Sequence, residues 1–157
     1  MKYIILTLLL TLLLSAATTA QPTYGSGFKS FMSYKAITNR NTRQWEMRQA
    51  ARTDSTGLRR YNGFIKIAIG TGWGYNVGDE VEVYLSSGIM FTAVVGDIKA
   101  DKHTDEANKV TTANGCAVEF LICTDTIDPL VLRMGDMSVI GFEGYVVAIE
   151  EWKGLEK

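Results

Sequence analysis

The chain has 157 residues, of which 16 are Lys or Arg and 17 are Asp or Glu, so its formal charge at neutral pH is −1. A charge this close to zero argues against a protein that holds nucleic acid on a clustered cationic face. The length predicts one domain with a single buried core.

The first 20 residues have the three parts of a secretory signal peptide. Lys2 supplies the charged start, residues 4–14 are apolar, and small residues lead to a cleavage point after Ala20. The apolar run is shorter than the about 20 residues that cross a bilayer. We therefore expect residues 1–20 to be removed and the rest to be soluble and secreted, without membrane contact. A retained N-terminal anchor is the alternative.

Residues 21–27 contain a proline and two glycines without periodicity, which predicts a flexible lead-in. Residues 28–157 are then predicted to form one β-barrel domain. The weak alternation of residues 28–37 indicates a first strand, and residues 43–52 are good helix formers that follow several N-cap candidates. Basic residues concentrate between Lys29 and Arg60. They predict either a solvated face or a contact with an anionic polymer.

Most of the remaining chain has the pattern of β-strands. Residues 64–69 predict a strand that ends in a glycine-rich loop carrying Trp73 and Tyr75. This loop lacks the Lys-Ser/Thr ending of a phosphate-binding loop. Its aromatic side chains suit either a groove wall on which a sugar stacks or a plain turn beside the core.

A hairpin follows, with arms at residues 79–85 and 89–95. Its second arm is apolar almost throughout, which predicts burial on both faces, as in a closed barrel. Three more strands are predicted around residues 116–123, 137–142 and 145–151, so the domain should have six or seven strands and one short helix.

Cys116 and Cys123 fall in one predicted strand. Seven extended steps separate their Cα atoms by about 23 Å, whereas bridged cysteines lie about 5.5 Å apart. We therefore predict two free thiols that behave as small buried hydrophobes.

The best site candidate is the polar stretch of residues 96–105, because charged side chains concentrate there at a predicted strand end. Asp97 follows a buried strand directly, and partial desolvation there would raise its carboxyl pKa and keep a proton available for acid catalysis. Asp101 and Asp105 can return to the same mouth, with Lys102 and His103 adjusting the charge. An ordinary polar loop is the alternative interpretation.

Two further features of this region bear on its chemistry. Glu119 lies in the middle of a predicted strand and points either into the mouth or out to water. Asp101, His103 and Asp105 could offer metal ligands, but a single histidine without nearby cysteine argues against a dedicated zinc site. A Ser-His-Asp mechanism lacks the G-x-S-x-G sequence that would support it. We predict no metal and no cofactor.

The segments V-V-G-D-I-K-A-D-K-H-T-D and N-G-C-A-V-E-F-L-I, within residues 78–122, resemble secreted and phage-borne proteins of Gram-positive bacteria with a double-psi β-barrel. This fold is shared by the three-aspartate domain, MltA-type lytic transglycosylases, RlpA and expansins. The resemblance implies a six-stranded double-psi barrel in which Asp97 matches the acid/base aspartate, with Asp105 and Glu119 as looser matches for later acids. The chain departs from the three-aspartate pattern by having Asp-Ile-Lys-Ala in place of Asp-Thr-Gly-Gly.

Two functions of different classes follow from these features. As an enzyme, the protein would be a monomeric peptidoglycan-cleaving lytic transglycosylase with Asp97, Asp105 and Glu119 as catalytic residues. Asp101, Lys102, His103, Trp73 and Tyr75 would bind the substrate. As a non-catalytic module, the same mouth would only bind a polysaccharide. A structural or virion-associated protein is a third interpretation, in which the polar stretch is surface decoration.

Overall fold

The structure is a computed structural model that describes residues 20–154. The predicted signal peptide therefore lies outside the described residues, except for Ala20. The described part of the chain is mainly β. Its strands and α-helices, in chain order, are β1 (Phe31–Ser33), α1 (Arg43–Ala50), β2 (Arg52–Thr53), β3 (Arg59–Tyr61), β4 (Phe64–Gly70), β5 (Glu80–Leu85), β6 (Met90–Lys99), β7 (Glu119–Ile122), α2 (Pro129–Met134) and β8 (Val146–Glu151).

The strands form one mixed sheet of eight strands with the order β1-β7-β4-β6-β5-β8, to which β3 is added by pairing with β4, and β2 by pairing with β3. The strand β4 is central, because it pairs in parallel with β6 and antiparallel with β7. Within residues 20–154 the hydrogen-bonded sheet does not close, so the expectation of a closed six-stranded barrel is wrong.

The long apolar strand β6 explains that error. Its inner residues are buried on both faces, as the sequence predicts. One of these faces is covered by α1, which packs on β6, and not by a closed barrel wall. The burial of β6 on both faces is therefore due to packing against a helix and not to a closed barrel.

The main core lies on one face of the sheet. Ile65, Ile67 and Ile69 of β4 point into it, and each is at most 4% exposed. The rings of Phe91, Phe120 and Phe142 pack together there, with centroids 4.5–5.4 Å apart. Alternation along β4 sends Lys66 and Ala68 to the opposite face.

That opposite face of the sheet, which we call the outer face, carries a smaller hydrophobic cluster. Ala68, Leu121 and Ile37 are its buried members. The helix α1 is capped at its N-terminus by Thr42, whose hydroxyl accepts a hydrogen bond from the Trp45 amide. Its last turn is held by Arg59, which donates to the Arg48 and Ala51 carbonyls at 2.9 and 2.6 Å. One well-capped short helix thus covers the strands that carry Asp97 and Lys66.

The predicted helix, the strand at residues 64–69, the hairpin and the last strand are confirmed by α1, β4, β5 with β6, and β8. The two cysteines are free and buried, as predicted. Only Phe31–Ser33 of the predicted strand 28–37 forms a strand, and the chain turns into a 3₁₀ helix at Tyr34–Ala36.

Near the C-terminus one prediction is wrong and one helix was not predicted. The expected strand at residues 137–142 is a 3₁₀ helix, Met137–Ile140, since Asp136 caps the Ser138 amide. The helix α2 was missed although Asp128 caps it and Pro129 stands at its first turn, both ordinary start signals. No helix in residues 20–154 is long and apolar enough to span a membrane.

Candidate functional site

A β-bulge at Gly96 orients the candidate acid. Val95 lies opposite Ile67 in the β4–β6 pairing, whereas Asp97 lies opposite Ala68, so Gly96 is an extra residue in β6. Side chains alternate along a strand, and an uninterrupted β6 would send Asp97 into the main core beside Val95. The bulge turns Asp97 to the outer face instead. The strand β6 continues to Lys99. Asp97 therefore lies within the strand, whereas the sequence predicts that the strand ends before it.

On the outer face Asp97 is half-buried at the wall of a pocket of about 300 Å³. The other residues that line this pocket are Ala36, Ile37, Thr38, Asn39, Thr42 and Gln44. Four of these carry hydroxyl or amide side chains, so the pocket offers both donors and acceptors.

Burial raises the pKa of Asp97 above its ordinary value. The Ile98 amide, which donates to Asp97 Oδ1 at 3.0 Å, acts in the opposite direction, as do the positive charges of Lys99 and Lys66. No salt bridge involves Asp97 within residues 20–154. Its carboxyl group can therefore hold a proton at higher pH than an exposed aspartate.

Glu119 shares the outer face with Asp97. Both lie opposite Ala68, one on each side of β4, so their Cα atoms are about 10 Å apart, two strand spacings. Glu119 forms a salt bridge with Lys99 and accepts a hydrogen bond from Ser30 Oγ at 2.8 Å. Its carboxylate is thus already neutralised by a partly buried lysine.

The remaining polar residues of the stretch build a loop. Asp105 Oδ1 accepts the Lys109 and Val110 amides at 2.8 and 3.1 Å. Asp101 accepts the Thr71 hydroxyl at 2.6 Å. Lys102 and His103 are exposed. The structure brings none of these four predicted residues into the lining of the Asp97 pocket.

Trp73 and Tyr75 also lie away from Asp97, because both pack against the main core on the other face of the sheet. The Trp73 indole donates to the Lys109 carbonyl at 3.1 Å and its ring meets Tyr24 edge-on, with centroids 4.7 Å apart. The Tyr75 hydroxyl donates to the Ile149 carbonyl at 3.2 Å. These contacts favour the plain-turn interpretation of the glycine-rich loop.

Sequence reasoning missed Lys66. This residue is 0% exposed, and its ammonium has no hydrogen-bond partner within residues 20–154. Burial lowers the pKa of Lys66 to about 8, assisted by the charge of Arg59 and opposed by that of Asp97. A signal was present, since Lys66 interrupts an otherwise apolar predicted strand.

The other missed residues are those of the pocket rim, Thr38, Asn39, Thr42 and Gln44. The sequence marks positions 39–42 only as helix-cap candidates. In the described part of the chain no three His, Cys, Asp or Glu side chains are arranged to hold a metal ion.

No protein family model, curated protein or solved structure matches this chain. The resemblance to double-psi barrel proteins therefore stays a prediction. What the site can do follows from its own geometry: one carboxyl group with raised proton affinity faces a polar pocket, and the second carboxylate on that face is held in an ion pair.

Proposed function

We propose that the protein is a secreted, cell-wall-associated enzyme that cleaves peptidoglycan by a lytic transglycosylase mechanism, with Asp97 as its single acid and base. The observation that carries the proposal is the position of Asp97. A bulge aims this half-buried carboxyl, which has a raised pKa and no salt-bridge partner in residues 20–154, into a pocket lined by hydrogen-bonding side chains.

In this mechanism protonated Asp97 donates its proton to the glycosidic oxygen, and the bond from the anomeric carbon to that oxygen breaks. The departing sugar keeps the proton as a new hydroxyl group. The Asp97 carboxylate then removes a proton from a hydroxyl of the retained sugar, whose oxygen closes onto the anomeric carbon. Asp97 ends protonated, and no water is consumed.

The state of Glu119 favours this route over ordinary hydrolysis. A conventional glycoside hydrolase uses two available carboxyl groups, about 5–9.5 Å apart. Glu119 is held by Lys99 and Ser30, so it is poorly placed to act as a nucleophile or to activate water. Asp105, with its carboxylate bonded to backbone amides, is equally occupied.

The pocket suits part of a polymer. Ligand pockets in proteins span roughly 300–1,000 Å³, and about 300 Å³ here accommodates a single sugar ring of a chain that continues over the surface. The side chains of Thr38, Asn39 and Gln44 match the alternating donors and acceptors of sugar hydroxyl groups.

The fold is part of the same proposal, as a distorted and incompletely closed double-psi barrel. The parallel pairing of β4 with β6 supports it. So does the N-terminal segment, which bridges β8 through Tyr24 and Val146 and then pairs with β7 through β1. This segment thereby reaches both ends of the strand order.

The test is release of muropeptides from purified peptidoglycan. Asp97→Asn keeps the shape of the side chain but cannot transfer a proton, so the rate should fall by about 10²- to 10⁴-fold. Asp101→Asn is the matched control, because Asp101 is an exposed carboxylate of the same stretch; it should keep the wild-type rate.

The pH profile gives an independent check. Because the protonated form of Asp97 is required, wild-type activity should decline as the pH rises through the raised pKa of this group. Equal release by wild type and Asp97→Asn would refute the proposal. Wild-type protein that binds peptidoglycan and releases nothing would identify a polysaccharide-binding module instead.

A further inference from the structure

Lys66 is a charged side chain that the fold buries beside the candidate acid. It projects from β4 onto the outer face, two residues before Ala68, which lies opposite Asp97. Its aliphatic stem fills the space above Gly96, since a Cβ atom at Gly96 would come within 2.7 Å of Lys66 Cε. The bulge that orients Asp97 is thus packed directly against this lysine.

Lys66 has no salt-bridge partner among the described residues, although several charged groups lie around it. From β3 and α1 it faces two cations, Arg59 and Arg48. Asp97 is the acidic group that acts on it from β6. The two do not form a salt bridge in the described part of the chain.

Three side chains near Asp97 lower the pKa of its carboxyl group. Lys66 faces it from β4, Lys99 lies beyond it on β6, and α1 contributes the uncharged amide of Gln44. Lys99 is compensated by Glu119 of β7. Lys66 is therefore the uncompensated cation near Asp97 among the described residues.

We propose that Lys66 is a positioning residue whose buried charge stabilises the carboxylate form of Asp97. The inference rests on the proposed function, in which Asp97 must lose and regain one proton in each cycle. A buried positive charge without other partners favours the carboxylate once the proton has been donated. Without it the carboxyl would hold its proton so strongly that donation to the glycosidic oxygen becomes slow.

The experiment is an NMR titration of Asp97 in protein labelled with ¹³C at the aspartate carboxyl carbons, with no substrate present. The Asp97 signal is assigned from its loss in Asp97→Asn. In Lys66→Met the Asp97 midpoint should rise by about one pH unit. Lys102→Met, which removes an exposed lysine of the same stretch, should leave the midpoint unchanged.

A reciprocal measurement uses a variant that keeps Lys66. Coupling between two groups is mutual, so Asp97→Asn should lower the midpoint of Lys66, followed through its ¹³Cε signal. This arm gives an answer even if Lys66→Met fails to fold. An unchanged Lys66 midpoint in folded Asp97→Asn would overturn the proposal.

In muropeptide release, the alkaline limb of the Lys66→Met profile should move to higher pH by the same amount as the Asp97 midpoint. A loss of rate with no movement of that limb would show a merely structural role and contradict the proposal. Because both titrations omit substrate, an inactive wild type would refute the catalytic function while the coupling is still measured.

Discussion

Replacing Lys66 by methionine should make the protein more stable at neutral pH. The side chain is fully buried and its ammonium has no hydrogen-bond partner in residues 20–154, so the folded state carries an unpaired buried charge. Methionine is unbranched and of similar length, and it fills the same space beside Gly96 without that charge.

The magnitude follows from the pKa of Lys66, which falls from 10.5 to about 8 on folding. Each pH unit between the two values corresponds to about 1.4 kcal/mol. The charged lysine therefore costs about 3 kcal/mol at pH 7, and its replacement should raise the free energy of unfolding by up to that amount.

The expected pH dependence of stability is opposite to that of a lysine in a salt bridge, whose pKa is raised on folding. The folded-state pKa lies below the unfolded value, so the unfolded chain binds more protons between pH 8 and 10.5, and wild-type stability should rise across that window. Urea unfolding followed by circular dichroism at about pH 7 and about pH 11 tests this. The advantage of Lys66→Met should be largest at the lower pH and vanish at the higher. A variant that is less stable than wild type at neutral pH would refute the reasoning.

Three further predictions concern packing, capping and redox state. Gly96→Ala should destabilise the fold by about 1–3 kcal/mol in the same urea assay, because the new methyl group would contact Lys66 Cε; an unchanged midpoint would contradict this. Thr42→Ala removes the cap of α1 and should cost about 1 kcal/mol, whereas no loss would mean that the cap contributes nothing. Cys116 and Cys123 are free, so the unreduced, denatured protein should titrate as two thiols, and a bridged peptide in its mass spectrum would show the opposite.

Much of the sheet could be predicted because its strands have a recognisable local pattern of apolar and polar residues. The alternation of residues 79–85 and the apolar run of residues 64–69 correspond to β5 and β4. Closure of the sheet could not be predicted in this way. The coverage of β6 by α1 depends on contacts between distant segments, and a strand buried by a helix has the same sequence pattern as one buried by a barrel wall.

The candidate site could likewise be predicted only in part, because some of its features depend on contacts between distant segments. The sequence identifies Asp97 as an acid at the edge of an apolar strand, and the structure gives it the raised pKa that this position implies. The direction in which Asp97 points depends on one extra residue, Gly96, and register cannot be counted from one strand alone. Lys66 was overlooked because a lysine within an apolar run normally reaches water, whereas Arg59 and α1 enclose this one.

Asp97 and Lys66 together predict an unusual dependence of stability on pH. The folded-state pKa of Asp97 is raised above 3.8, so its contribution to stability is present at acid pH and is lost as the pH rises through that raised value. The contribution of Lys66 is present above pH 10.5 and is lost as the pH falls through about 8. Neither group therefore stabilises the fold at intermediate pH, where proteins are ordinarily most stable. The free energy of unfolding of Asp97→Asn/Lys66→Met, measured from about pH 3 to about pH 11, should exceed that of wild type most in this intermediate range, and the difference should narrow towards both ends. A difference that is constant across the range would show that the pKa values of Asp97 and Lys66 do not change on folding, and the acid–base role of Asp97 would lose its physical basis.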